Sequence, residues 1–212
     1  KGLYQIPYPD NEPVRSYAPD SDELKSLLDT YHLMYNQEPI DMPMYIGSRE
    51  VRTGDKKPIC PPHEYAKVLG HFNQGDASHV HEAIDAALEA KSAWAAMPWE
   101  HRASIFLKAA ELLAGPFRDK MNAATMLAQS KNVMQAEIDA ACEMIDFFRF
   151  NVYLMQEMYG NQPDSQPGIW NRMEYRPLEG FVFAISPFNF TSIAANLPAS
   201  AAMMGNTCVW KP

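Results

Sequence analysis

The segment Ile185-Ser186-Pro187-Phe188-Asn189-Phe190-Thr191 sets a lone carboxamide, Asn189, just beyond a short run of apolar, β-prone residues. In an open α/β sheet, ligands collect at the carboxyl ends of the strands, so an amide there can meet a bound substrate. Its NH₂ group can donate to an oxygen that becomes negative when a nucleophile attacks a carbonyl, and it needs no ionisation to do so. The competing reading is a turn asparagine that bonds its own backbone, and this motif alone does not separate the two. A second motif, Gly205-Asn206-Thr207-Cys208-Val209-Trp210-Lys211-Pro212, delivers a lone Lys directly after apolar residues.

Other chemistry-bearing residues are less well placed. His79 and His81 fall two apart on an expected helix and so point about 200° apart, whereas a shared metal needs a spacing of three or four. They read as surface histidines, and no metal site is expected. Cys142 falls in an apolar helical stripe and Cys208 in an apolar strand, with no neighbouring base or helix N-terminus to activate a thiolate, so neither is expected to be a nucleophile.

Positioning these residues requires a strand, a helix and a second strand. Residues 180–210 contain no charge, a length that could span a bilayer as one helix. Pro187, Pro198 and Gly205 divide the run, and Asn189, Asn196 and Asn206 would bring polar groups into lipid, so no membrane span is expected. Residues 181–186 and 207–210 read as strands and residues 192–204 as a helix, a soluble core buried on every side. Strands without polar alternation belong in parallel sheets covered by helices, which gives an α/β fold.

Upstream, helical spacing dominates. Val80, Ile84, Ala87, Leu88 and Ala95 mark one helix, with Asp76 or Ser78 as N-cap and residues 70–75 as the loop before it. Ile105, Ala109, Leu112 and Leu113 mark a second, ended by Gly115-Pro116, which offers both a φ > 0 residue and a stop. The longest stripe takes Ile138, Ala141, Cys142, Ile145, Phe148, Val152 and Met155 and ends near Gly160. Residues 44–46 and 50–52 flank Gly47-Ser48 as a hairpin. Residues 161–168 are polar and rich in Pro and Gly, and residues 170–176 are strand-like. Residues 1–20, with Pro7, Pro9, Pro13 and Pro19, show neither a signal-peptide core nor an Arg-rich amphipathic pattern and read as an extended arm.

Composition limits the partners. With 212 residues, 47% hydrophobic and 21% charged, the chain can bury a sizeable core. A net charge of −8 without a basic cluster argues against nucleic acid. Cys60, Cys142 and Cys208, scattered and without a CxxC pair, fit a reducing, intracellular compartment.

The coupling of Pro-aromatic-Asn-Phe to a Gly-Asn, apolar-strand, Lys-Pro ending resembles the aldehyde dehydrogenase superfamily. Ser186 and Phe188, where the superfamily often has an apolar residue and Trp, fit its pyrroline-5-carboxylate dehydrogenase branch. QAEIDAACEMIDFFRFN at residues 135–151 and RASIFLKAAELLAG at residues 102–115 resemble the same branch. The resemblance implies the N-terminal part of that fold: arm and helices over residues 1–160, an oligomerisation flap over 161–178, and the first βαβ unit of a Rossmann-like sheet over 179–212. The absence of GxGxxG would count against an ordinary Rossmann dehydrogenase but not against this family.

By the same resemblance, Asn189 stabilises a tetrahedral oxyanion, Lys211 binds the adenine-ribose hydroxyls of NAD, and Ser186 and Phe188 line the cofactor groove. Glu143 and Phe190 face the substrate, although Glu143 also reads as a helix-surface carboxylate and Phe190 as ordinary core. The implied reaction is NAD-dependent oxidation of glutamate γ-semialdehyde to glutamate, with oxidation of another aldehyde or a non-catalytic assembly fragment as alternatives. The family's Cys nucleophile and Glu base lie beyond Pro212, so the chain reads as truncated. The flap implies a homodimer or higher homo-oligomer, its alternative being a hairpin folded onto its own domain. The expected compartment is the cytoplasm of a bacterium or the mitochondrial matrix of a eukaryote.

Overall fold

The structure, a computed structural model, describes residues 5–212; residues 1–4 of the expected arm lie outside the described residues. Residues 5–20 contain neither helix nor strand, as the proline spacing predicts, yet they are firmly tied down. Glu12 pairs with Arg118 and, at 2.7 Å, with Arg149; its backbone N–H donates to Asp146 at 2.7 Å. Tyr8 meets Phe150 and Tyr153 edge-on.

α1 (Asp22–Asn36) starts where the Ser21 hydroxyl accepts from the Leu24 N–H, with Asp22 and Glu23 complementing the helix dipole. Its Leu27 is fully buried beside Tyr17 and Ala123. The strands that follow are short: β1 (Ile40–Met42), β2 (Met44–Ile46), β3 (Arg49–Val51), β4 (Lys56–Ile59) and β5 (Gly70–Asn73). β2 and β3 form the expected hairpin, turning at Gly47 with φ +60°. β5 lies between β1, parallel, and β4, antiparallel. It corrects the loop expected over residues 70–75. A Cβ on Gly70 would come within 2.6 Å of the Ile40 carbonyl oxygen, so the glycine permits close strand approach and does not mark a turn.

α2 (Ala77–Ala96) begins at Asp76 in a capping box whose other member is His79, with 2.7 Å between His79 Nδ1 and Asp76 Oδ1. His79 is therefore a capping residue, which corrects its reading as a plain surface histidine. α3 (Trp99–Ala114) stops before Gly115 as expected, but Gly115 has φ −104°, so the left-handed option goes unused. On α3 the buried positions are Arg102, Ala103 and Ala110, with Ile105 and Leu112 turned outward. α4 (Arg118–Gln129) packs against α1.

α5 (Val133–Ala136) runs through a π-helical stretch (Glu137–Glu143) into α6 (Met144–Gly160). Ala141, Cys142, Ile145, Phe148, Val152 and Met155 are buried as the stripe predicts, but Ile138 is 43% exposed. Each π turn takes one residue more than an α turn and rotates Ile138 off the stripe. α6 and α3 form the main core together with Ala199 and Met203 of α7 (Thr191–Met203).

β6 (Val182–Ile185), α7 and β7 (Cys208–Lys211) realise the expected unit, the strands pairing in parallel from Val182 opposite Cys208 to Ile185 opposite Lys211. Pro198 sits inside α7 and removes the N–H that would reach Ala194; the Ser186 hydroxyl donates to that carbonyl instead, at 3.2 Å. The expectation that this unit is buried on every side is corrected: Phe183 and Ile185 are 58% and 60% exposed. α7 packs on the two-stranded sheet, and among the described residues nothing covers the side that carries Phe183 and Ile185.

Residues 170–176 form no strand; between α6 and β6 there is a single bridge, Gln166 to Ile169. Strand geometry needs a neighbouring strand to complete its backbone hydrogen bonds, and among the described residues no strand pairs with this segment. No helix of the described residues is long and apolar enough to cross a membrane.

Candidate active site

The loop from β6 to α7 leaves the carboxyl end of the sheet at Ser186 and re-enters regular structure at Thr191. Ser186 is buried, its N–H donating to the Lys211 carbonyl at 3.1 Å and its Oγ accepting from Trp210 Nε1 at 2.6 Å. These bonds join the start of the loop to the end of β7. Lys211, in register with Ile185, emerges at that same sheet end with its side chain exposed and in no salt bridge with the described residues.

Phe188 and Asn189 form the exposed turn, Phe188 being 91% exposed. The Asn189 side chain makes no hydrogen bond with the described residues; its backbone carbonyl accepts from Lys131 Nζ at 2.7 Å. The turn-asparagine reading required the amide to be spent on its own backbone. Here the amide is free.

The start of α7 is held from below. Asp139, buried in the π-helical stretch, accepts from the backbone N–H groups of Thr191 and Ser192, both at 3.0 Å, and so caps α7 in place of a side chain from the loop. Burial alone would raise the Asp139 carboxyl, but the Lys131 ammonium at 2.6 Å and the Ser192 and Thr191 donors outweigh it and hold the group below its ordinary value. The Ser192 hydroxyl lies 2.8 Å from Asp139 and 2.9 Å from Glu143. Thr191 Oγ1 is met by Thr125 at 2.8 Å and by Gln129 Nε2 at 2.9 Å. Phe190 lies under Lys131, whose Nζ is 4.2 Å from the ring centroid.

Asn189, Phe190 and Glu143 thus gather around the N-terminus of α7, and Ser186 and Lys211 share the adjacent sheet end. Phe188, next to Asn189 in the same turn, has its ring in solvent. Glu143 is half-buried against Ser192 and is no longer a plain helix-surface carboxylate. Lys131 and Asp139 escaped sequence reasoning; the available signal was Asp139, a carboxylate inside a stretch whose neighbours form a core stripe. The thiols behave as their burial dictates. Burial, and next the Glu137 carboxylate, push Cys142 up to about 11, and burial raises Cys208. Among the described residues no three His, Cys, Asp or Glu side chains gather as a metal site. Two surface depressions, of about 290 and 360 Å³, lie beside residues 162–175, away from Asn189.

Residues 50–212 match the family model described as the aldehyde dehydrogenase family. The delta-1-pyrroline-5-carboxylate dehydrogenase of Agaricus bisporus is 51% identical over 99% of this chain and 38% of its own length. The mitochondrial delta-1-pyrroline-5-carboxylate dehydrogenase of Bos taurus is 46% identical over 95% of this chain and 36% of its own length. Among solved structures, the Delta-pyrroline-5-carboxylate dehydrogenase from Mycobacterium tuberculosis bound with NAD aligns at TM-score 0.97 and 51% identity, over 100% of this chain and 39% of that one. The 1-pyrroline-5-carboxylate dehydrogenase from Thermus with bound NAD aligns at TM-score 0.89 and 25% identity, over 99% of this chain and 40% of that one. The chain therefore spans about two fifths of the length of the proteins it matches.

Proposed function

The chain belongs to the aldehyde dehydrogenase family, and from that premise we propose that it serves the NAD-dependent oxidation of L-glutamate γ-semialdehyde, the open form of 1-pyrroline-5-carboxylate, to L-glutamate in proline breakdown. The observation that carries this reading is the unspent amide of Asn189, displayed at the carboxyl end of β6 while its own carbonyl is held by Lys131. A carbonyl oxygen that gains charge during attack would receive a neutral, preorganised donor there.

The nucleophilic cysteine and general-base glutamate of the family are assigned to a longer chain; in this one Cys142 is buried and Cys208 half-buried, and burial raises both thiols. When bound, NAD⁺ would supply the hydride acceptor, so that aldehyde, NAD⁺ and water would become carboxylate, NADH and two protons. The sheet end suits such a group: Lys211 offers a free ammonium to ribose hydroxyls at the carboxyl end of a parallel pair. Phe188 supplies an apolar wall. Ser186 contributes shape alone, since its hydroxyl is committed to Trp210 and Ala194. Glu143 and Phe190 take the substrate side. Residues 161–178 form the flap of a homo-oligomer. The compartment is the cytoplasm in a bacterial cell or the mitochondrial matrix in a eukaryotic one.

The test is NADH formation by the full-length enzyme with pyrroline-5-carboxylate set against simple aliphatic aldehydes. A kcat/KM that favours the simple aldehydes overturns the substrate assignment.

A further inference from the structure

The geometry points to Lys131 as a positioning residue that sets the place of the Asn189 amide, an inference that rests on Asn189 being the oxyanion donor. An ammonium has three N–H bonds, and each of these has a destination. One goes to Asp139 Oδ2 at 2.6 Å and one to the Asn189 carbonyl at 2.7 Å, while the third faces the Phe190 ring. The Lys131 side chain is 16% exposed and Asp139 is 4% exposed, so the pair is well shielded from solvent.

The Asn189 contact matters because little else holds the turn. Ser186 is tied to β7 and α7, and Phe190 begins the helical hydrogen bonding through its carbonyl. Across residues 187–189, the bond from Lys131 is the only hydrogen bond among the described residues. That bond is charge-assisted, about twice as strong as a neutral one. It acts on the backbone of the same residue whose side chain would donate to the oxyanion. Asp139 couples the clamp to α7 by capping Thr191 and Ser192 from the same carboxylate. One cation therefore fixes residue 189 through its carbonyl, residue 190 through its ring and residues 191–192 through Asp139.

Removing the clamp leaves the amide present but displaced, and a displacement of about 1 Å at a catalytic group can cost about 10²-fold in rate. In the full-length enzyme, Lys131→Met should lower kcat by roughly 10–10²-fold with a smaller change in the KM for NAD⁺, because Lys211 and Ser186 on the cofactor side are held at the sheet end and not by Lys131. Lys131→Gln, which is shorter and lacks the ammonium charge but keeps a polar end beside Asp139, carries the same expectation if the Met variant does not fold.

The deciding measurement is a double-mutant cycle with Asn189→Ala under conditions where chemistry limits turnover. If Lys131 acts through Asn189, its replacement adds little once the amide is gone. Multiplying losses, or an unchanged kcat in the Lys131 variants, would overturn the positioning role while leaving Asn189 as donor. An unchanged kcat in Asn189→Ala alone would instead overturn the donor assignment on which the inference rests.

Discussion

Arg118 and Glu137 form an ion pair whose side chains are 1% and 0% exposed. Around it, Glu137 also accepts from Tyr17 Oη, the Arg15 N–H and Asn122 Nδ2, each at 2.8 Å, so the carboxylate fastens arm, α4 and π-helical stretch together. Removing one member of a buried, hydrogen-bonded pair costs about 3–5 kcal/mol, and Glu137→Gln should destabilise by an amount in that range. Burial alone would raise the Glu137 carboxyl, but Arg118 and the other donors hold it below its ordinary 4.5. A depressed carboxyl contributes stability that is present above pH 4.5 and lost as pH falls through the lower folded value. Urea unfolding at a series of acidic pH values should show a shallower acid limb in Glu137→Gln than in the parent; superimposable limbs would contradict the argument.

Asn189→Ala in the full-length enzyme should cut kcat by about 10²–10³ with little loss of NAD binding, because in the proposed role the amide donates to charge that develops only in the transition state. Single-turnover kinetics isolates the chemical step. A loss confined to the KM for the aldehyde would assign the amide to ground-state binding.

Lys211→Ala should chiefly raise the KM for NAD⁺, since the ammonium stands at the end of β7 and takes no part in holding Asn189. Titration of NAD binding in the absence of aldehyde reads this directly. Unaltered cofactor affinity together with a collapse in aldehyde affinity would move Lys211 to the substrate side.

The β6-α7-β7 unit was legible because its punctuation is local: an uncharged run, cut by Pro187 and Gly205, leaves few other ways to fold. The same holds for the hairpin at Gly47 and the Asp76 cap. α4 was not legible. Its inward residues include Arg118, Asn122 and Thr125, polar side chains whose partners arrive from the arm, the π-helical stretch and α7, far away in the chain. Periodicity arguments see apolar stripes, and a polar face made internal by distant partners looks like a solvent face. Lys131 was hidden for the same reason, since 58 residues separate it from Asn189. Ile138 failed differently, because an inserted π turn changes the period that the argument assumes. Asn189 and Lys211 are proposed from motif and resemblance; the groups that hold Asn189 in place required the fold.

The last prediction concerns residues 161–178. Trp170 is 80% exposed, Met173 48% and Leu178 66%, more apolar surface than a solvent loop requires. Only part of the segment is held within this chain. The Tyr175 hydroxyl donates to the Asn161 carbonyl at 2.8 Å and its ring meets Tyr159 edge-on, while Gln162 exchanges hydrogen bonds with Met173. Those contacts fasten the base of the segment near α6 and leave the Trp170 end projecting. Strand-like residues that lack a strand partner in their own chain are suited to pairing with one from a second copy, which would also cover Trp170. Deleting residues 163–176 should therefore lower the oligomeric mass of the full-length enzyme measured by light scattering, with far-ultraviolet dichroism confirming that the variant is folded. Trp170→Ala should weaken the same association without loss of fold, because a large exposed aromatic at an interface is a common anchor of binding energy. A folded deletion variant that keeps the parent's oligomeric mass would show that the segment is a hairpin of its own domain and not an assembly element.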